Sequence, residues 1–167
     1  MKSIGIINYQ INNLSSIYYA IENIGYKPIF LDEYISQKFD ILIIPGTGSF
    51  AHGMKYLRSQ KLEKMILDHV HRGGITIAIC LGFQLLFKKS NEFEDTKGLG
   101  ILDGEIVPFM NNCDKPNIGW SKVFLNESIN SSSTIHKSLD SKFFYHVHSY
   151  YVKNNKSDKI LTYSYNK

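Results

Sequence analysis

A cysteine between small residues, at the end of a short apolar run, is the feature that most constrains this chain. Residues 76–79 are apolar and β-branched, and they predict a strand buried on both faces. Cys80 follows, with Ala78 two residues before it and Gly82 two residues after it. This spacing is typical of a nucleophile elbow, a tight strand-to-helix turn that admits only small neighbours. The alternative is a buried cysteine that packs as a small hydrophobe.

Apolar runs and helical patterns around this elbow predict an α/β fold. Strands are predicted at residues 4–7, 27–31 and 40–44. A first helix is predicted over residues 14–24, ending at Gly25. Residues 54–70 predict one broken helix or two short helices, and residues 83–88 predict the start of a further helix. This order predicts a doubly wound, mostly parallel sheet flanked by helices, of the flavodoxin-like type. In such sheets ligands bind at the carboxyl ends of the strands, where Cys80 lies.

The second half of the chain predicts further, antiparallel strands. They are expected at residues 104–109, 120–125, 143–152 and 160–163, the third of them as one strand or a bent pair. Polar connections are expected at residues 111–117 and 128–133. At this length we expect a single domain over residues 1–167.

Composition excludes several classes of function. The net charge of +4 is spread along the chain without a dense basic run, so no nucleic-acid partner is expected. No apolar run has transmembrane length and no signal peptide is recognisable, so we expect a cytoplasmic protein that does not bind membranes. Cys80 and Cys113 have unlike surroundings and predict neither a disulfide framework nor a metal site. No cofactor is expected.

A glycine loop after the third strand is the second candidate element. Residues 45–48 read Pro-Gly-Thr-Gly, and their glycines permit unusual backbone angles and close approach of a ligand. An ordinary glycine turn is the alternative. Next to Cys80, however, the amides of Gly48 and Leu81 could converge on a developing oxyanion.

Four motifs in chain order carry a resemblance to a known family. They are Pro-Gly-Thr-Gly-Ser-Phe at 45–50, Ala-Ile-Cys-Leu-Gly-Phe-Gln at 78–84, Pro-Asn-Ile-Gly-Trp at 116–120 and Val-His-Ser-Tyr-Tyr at 147–151. Together they resemble the class I glutamine amidotransferases. The last two motifs are most similar to the glutaminase subunit of imidazole glycerol phosphate synthase, an enzyme of histidine biosynthesis.

The resemblance implies a role for each matched position. Cys80 would attack the side-chain amide of L-glutamine to give a glutamyl thioester and ammonia, and the Gly48 and Leu81 amides would stabilise the oxyanion. The residues implied to hold glutamine are Thr47, Gln84, His148, Ser149 and Tyr150. The ammonia would pass, within a heterodimer, to a (β/α)8 barrel subunit that makes imidazole glycerol phosphate.

Several positions depart from the family pattern. Ala78 stands where glycine is usual, and Asn117 replaces the histidine of a Pro-His-x-Gly-Trp motif. The first turn, from Asn8, lacks the usual Asp-Tyr-Gly sequence. The family's catalytic histidine belongs to a Phe-His-Pro-Glu motif, and no proline here follows a histidine. We therefore expect a chain truncated at its C-terminus, or else a glutaminase without its base.

The remaining histidines are weaker candidates. His146 is expected to share a strand face with His148. Solvated or hydrogen-bonded histidines, on surface helices or loops, are expected at His52, His69, His71 and His136. Cys113 is interpreted as incidental.

Other functions remain open at this stage. The changed first turn and Asn117 fit the same glutaminase chemistry serving a surface-sugar amidotransferase. A catalytically dead amidotransferase-like domain that binds glutamine or a protein is a non-enzymatic alternative. A PfpI-like enzyme shares the elbow, but in that group histidine commonly follows the cysteine, where this chain has Leu81.

Overall fold

A four-stranded parallel sheet organises the first part of the computed structural model, which describes residues 2–9, 13–109, 116–125, 138–153 and 162–163. Its strands are β1 (Ile4–Ile7), β2 (Ile29–Leu31), β3 (Ile41–Ile44) and β4 (Ile75–Ala78), in the order β2-β1-β3-β4. All three pairings are parallel. The chain divides into two compact units, Met1–Leu102 and Asp103–Lys167, and this sheet belongs to the first.

In the described part of the first unit, four helices accompany the sheet: α1 (Leu14–Asn23), α2 (Phe50–Ser59), α3 (Leu62–His71) and α4 (Leu81–Leu85). The apolar side of α1 packs on the sheet, where Ile21 joins Ile4, Ile6 and Ile43 in one buried cluster. The chain leaves α1 through Gly25 at φ +88°, as predicted. The region 54–70 forms two helices, separated at Lys61 in the left-handed conformation. Among the described residues, no helix is both long and apolar enough to cross a membrane.

Strand β4 is an edge strand, and the prediction that it is buried on both faces was wrong. Ile75 is 50% exposed and Ile77 is 45% exposed, on the face that carries the α1 cluster. The reason is positional, because α1 packs on β1 and β3, and β4 lies beyond them at the end of the sheet. A β-branched apolar run is compatible with a central or an edge position.

The helix after Cys80 is shorter than predicted and begins earlier. It ends at Leu85, and residues 87–90, which include the predicted helical residue Lys88, form β5 (Phe87–Ser90). The chain returns beside this segment and satisfies its carbonyl groups. The Leu99 amide donates to the Leu85 carbonyl at 2.9 Å, and β5 pairs antiparallel with β6 (Thr96–Lys97). These bonds replace the next turn of helix.

The second unit is built from antiparallel strands, as predicted. They are β7 (Leu102–Pro108, which starts at the unit boundary), β8 (Asn117–Lys122), β9 (Phe124–Leu125), β10 (Phe143–His148), β11 (Tyr150–Lys153) and β12 (Thr162–Tyr163). The pairs are β8 with β10, β7 with β11 and β9 with β12. Ser149 separates β10 from β11, so the expected bent pair is present. Most of the predicted 111–117 connection, the 128–133 connection, Cys113 and His136 lie outside the described residues.

Candidate functional site

Cys80 occupies a strained bend between β4 and α4. Its backbone has φ +53° and ψ −117°, a combination that costs a residue with a side chain about 1–3 kcal/mol. Its thiol is exposed and is not in a disulfide. A sharp, strained turn that presents the nucleophile to solvent is the geometry of a nucleophile elbow. The spacing of small residues around Cys80 therefore identified a real conformational feature.

Gly82 is required by close packing at this bend. A Cβ atom on Gly82 would lie 1.9 Å from the carbonyl oxygen of Ile44 and 2.7 Å from that of Pro45. Both neighbours are backbone, so neither can rotate away. The first turn of α4 thus lies directly against the end of β3, which explains the small residue two positions after the cysteine.

The glycine loop is held at both ends and exposed between them. At its start, the Tyr9 hydroxyl donates to the Pro45 carbonyl. At its end, the Phe50 amide, at the N-terminus of α2, donates to a Glu92 carboxylate oxygen at 2.6 Å. Thr47 and Gly48 lie between these anchors and are exposed, with Gly48 at φ +97°. Of the four residues between the anchors, Thr47 and Gly48 are the exposed ones, and Gly48 carries the predicted oxyanion amide.

In this structure the Leu81 amide, predicted as the second oxyanion donor, forms a hydrogen bond to the glycine loop. It donates to the Gly46 carbonyl at 3.3 Å, and the neighbouring Ile79 amide donates to the Ile44 carbonyl at 2.9 Å. The residues on either side of Cys80 are thus bonded to the end of β3 and to the loop that follows it. An oxyanion hole that uses Leu81 requires its amide to exchange the Gly46 carbonyl for the oxyanion.

Tyr9 is a residue of this site that the sequence interpretation missed. It was placed in a polar turn, yet its side chain is fully buried beneath the loop. A Cβ atom on Gly46 would lie 1.7 Å from the Tyr9 hydroxyl, so only glycine fits there. Burial, and after it the negative charge of nearby Cys80, raise the pKa of Tyr9 far above its usual value. An aromatic residue two positions after a buried strand was the available signal.

Gln84, a predicted glutamine-binding residue, lies one helical turn after the nucleophile. It is half-buried on α4, and its amide donates to the Cys80 carbonyl at 3.1 Å. The first unit therefore brings together Cys80, the loop residues Thr47 and Gly48, and Gln84 around one end of the sheet.

The other predicted glutamine-binding residues lie together in the second unit, at the break between β10 and β11. The Nδ1 atom of His148 lies 2.9 Å from the Tyr150 carbonyl, and its Nε2 atom lies 3.2 Å from the Asn117 side-chain nitrogen. The Ser149 carbonyl accepts the Phe109 amide at 3.0 Å. The residues around His148 are thus ordered by specific bonds.

His146 shares the strand face of His148, as predicted. The two rings lie 5.6 Å apart, centre to centre. Its Nε2 atom is buried and has no hydrogen-bond partner among the described residues. Burial, and secondarily the neighbouring His148, lower the pKa of His146 below its usual 6.5.

The histidines of the first unit do not belong to the site by any described bond. His52 and His71 are exposed, as expected. His69 is only 3% exposed, so its placement on the surface was wrong, but it is satisfied, with Nε2 3.0 Å from the Ile75 carbonyl. A histidine in the last turn of an amphipathic helix can face either way, and here it fills the space beside Gly74. Within the described ranges, no cluster of potential ligands could hold a metal ion.

Comparison with known sequences finds one family over most of the chain. Residues 2–137 match the family described as the CobB/CobQ-like glutamine amidotransferase domain. The imidazole glycerol phosphate synthase subunit HisH of Aquifex aeolicus is 34% identical over 159 residues, which cover 94% of this chain and 75% of that protein. The HisH subunit of Lactococcus lactis is 38% identical over 153 residues, covering 90% of this chain and 73% of that protein.

Solved structures show the same fold at low sequence identity. The crystal structure of a glutamine amidotransferase matches with a TM-score of 0.72 and 15% identity, over 95% of this chain and 78% of that one. The structure of PurLQS from Thermotoga maritima matches with a TM-score of 0.70 and 17% identity, over the whole of this chain and 76% of that one.

Proposed function

Because the chain belongs to the glutamine amidotransferases, and among them to the family of the HisH subunits, we propose that Cys80 takes ammonia from L-glutamine for a synthase partner. The strained, exposed bend at Cys80 is the observation that carries this proposal. The relatives named above are all imidazole glycerol phosphate synthase subunits. This favours imidazole glycerol phosphate synthesis over a surface-sugar acceptor.

The reaction proceeds through a covalent intermediate on sulfur. The Cys80 thiolate adds to the side-chain carbonyl of glutamine, the tetrahedral intermediate collapses, and the amide nitrogen leaves as ammonia after gaining a proton. Water then hydrolyses the thioester to glutamate. The thiol proton must pass to a base, and the sequence contains no His-Pro-Glu motif to supply the histidine that the resemblance implies. The covalent step is therefore tested separately from turnover.

Stabilisation of the oxyanion is assigned to the Gly48 and Leu81 amides. The Leu81 amide starts from its bond to the Gly46 carbonyl and gives up that bond as the negative charge develops. The Thr47–Gly48 segment, held at Pro45 and Phe50, supplies the second amide by rotating between its anchors. A donor of this kind contributes about 100- to 1000-fold to the rate.

The ends of glutamine are assigned to the polar residues that the family resemblance implies. Gln84 is assigned to glutamine binding because it follows the nucleophile by one turn of α4. The same role is assigned to His148, Ser149 and Tyr150, because their backbone and side-chain hydrogen bonds hold the break between β10 and β11 in one conformation. Thr47 is assigned the same role, and it is exposed in the glycine loop.

An exposed aromatic face on the β8–β10 ribbon supports the assignment of a protein partner. The face consists of Ile118, Trp120, Phe143, Tyr145 and Val147, which the strand register places on one side. Trp120 is 70% exposed, and its ring packs 5.7 Å from that of Tyr145. Contiguous exposed aromatic surface is characteristic of protein–protein interfaces. We assign this face to the (β/α)8 barrel subunit that receives the ammonia.

The covalent step can be tested with a glutamine-analogue electrophile, followed by intact mass measurement and peptide mapping. We expect one adduct, on Cys80, formed more slowly when L-glutamine is added, and none on Cys80→Ser. Cys113 is the internal control for non-specific labelling. An inert Cys80, or labelling of both cysteines regardless of glutamine, would overturn the proposal and favour the binding-module alternative.

The partner assignment has its own test. Glutamate release should rise when the barrel subunit is added, and Trp120→Ala should weaken that response while leaving the labelling of Cys80 unchanged. Ser121→Ala, on the opposite side of the same strand, is the matched control and should leave both readouts unchanged. A full response from Trp120→Ala would show that the partner binds elsewhere.

A further inference from the structure

We infer that Asn117 is a positioning residue for His148, whose ring it holds in a single tautomer. The inference about the ring stands on the geometry of the β8–β10 ribbon. Its consequence for glutamine rests on the proposed function, which assigns His148 to the glutamine site.

The two hydrogen bonds of the His148 ring determine where its proton lies. The Tyr150 backbone carbonyl can only accept, so Nδ1, 2.9 Å away, carries the proton. The Asn117 side-chain nitrogen can only donate, so Nε2, 3.2 Å away, accepts with its lone pair. A neutral ring satisfies both partners at once. A second proton on Nε2 would face the Asn117 amide hydrogens.

The surroundings keep the ring in this orientation. Asn117 and His148 are directly opposite each other in the antiparallel register, which places both side chains on one side of the ribbon. The Phe109 ring lies 5.2 Å from the His148 ring and borders it on another side. His146, two residues away on the same face, is a titratable group whose ring lies 5.6 Å from that of His148.

In this structure the Asn117 side chain presents its NH2 group, and not its carbonyl oxygen, to Nε2 of His148. The family pattern has histidine in this motif, and an imidazole nitrogen either donates or accepts according to its tautomer. An asparagine NH2 group only donates. With the NH2 group in this orientation, Nε2 of His148 accepts, and it has no proton to give to a carboxylate. His148 acts on glutamine by fixing the main chain at Ser149 and Tyr150.

The tautomer can be read directly by nitrogen-15 NMR of the imidazole groups. In the unaltered chain we expect His148 to show a protonated Nδ1 and an unprotonated Nε2. Asn117→Asp replaces the donor by an acceptor, so the ring should become doubly protonated at pH 7. Asn91→Ala, at an exposed asparagine, is the control and should leave the His148 signals unchanged. A protonated Nε2 in the unaltered chain, or an unchanged ring in Asn117→Asp, would overturn the inference.

Protection of Cys80 from the electrophile by L-glutamine tests the consequence without requiring turnover. Asn117→Ala should raise the half-protecting glutamine concentration about 3- to 10-fold, the effect of one lost hydrogen bond, with the labelling rate in the absence of glutamine unchanged. Asn117→His should recover most of the loss, whereas equal protection in Asn117→Ala would refute the positioning role. If glutamine fails to protect even the unaltered chain, the proposed function falls and the NMR result still decides the tautomer.

Discussion

Replacing Gly82 by alanine is expected to damage the fold and the nucleophile together. The new Cβ atom would lie 1.9 Å from the Ile44 carbonyl oxygen, against a normal carbon–oxygen contact of about 3.3 Å. The backbone at residue 82 must therefore move about 1.4 Å away from the backbone at Ile44. Overpacking usually costs about 1–3 kcal/mol of stability, and we expect a cost near the upper end because only main-chain movement can relieve this contact. We expect the free energy of unfolding to fall by about 3 kcal/mol. In urea this lowers the midpoint by about 1.5 M at an m-value of about 2 kcal/mol per M.

The matched control is Gly53→Ala in α2. There the nearest atoms are methyl groups of Leu85, at 3.3 and 3.4 Å, which can move, and alanine favours a helix interior by about 1 kcal/mol. Gly53→Ala should therefore stay within about 1 kcal/mol of the unaltered chain.

Labelling of Cys80 provides the second readout for the same pair of variants. A shift of about 1 Å at the elbow should slow reaction with the glutamine-analogue electrophile about 100-fold in Gly82→Ala, and leave Gly53→Ala unchanged. Equal stability and equal labelling rates in the two variants would show that the elbow does not depend on the close contact between α4 and β3.

Three further predictions follow from buried polar groups. Tyr9→Phe should lower the free energy of unfolding by about 1–3 kcal/mol in urea titrations, because a buried carbonyl loses its donor, while exposed Tyr19→Phe should change little. The folded-state pKa of His146 is lowered, so the unfolded chain binds the proton first; stability should fall as the pH drops below about 6.5, and His146→Gln should flatten that fall. His69→Ala should cost about 2–4 kcal/mol of unfolding free energy and exposed His71→Ala less than about 0.5 kcal/mol, whereas equal costs would contradict the buried position of His69.

Local patterns predicted most of the secondary structure because they depend on the strand or helix itself. The run at 4–7 forms β1 with the predicted bounds, and Gly25 ends α1 as expected. The position of β4 in the sheet was not predictable in this way, because its β-branched residues suit a central strand and an edge strand equally well. Likewise, the short α4 ends where the returning chain bonds to it, which its own sequence does not encode.

The same division applies to the site. Cys80 and Gly82 were recognised from spacing, because the steric demands of the elbow act over a few residues. The contacts that support them join distant parts of the chain: Tyr9 reaches 36 residues to Pro45, and Phe50 reaches 42 residues to Glu92. Asn117 was recognised as a departure from the family, but its bond to a histidine 31 residues away was not. Such pairs depend on tertiary structure, which the periodicity of a sequence does not reveal.

The double attachment of the glycine loop restricts how this region can change in evolution. Surface loops ordinarily accept insertions and deletions with little penalty. Here Tyr9 bonds to Pro45 at the start of the loop and Glu92 bonds to Phe50 just after it, so one added residue would have to bulge out between these two attachments. We expect libraries of length variants in this loop to yield few folded, reactive proteins, and diversity at residues 47 and 48 to be confined to substitution.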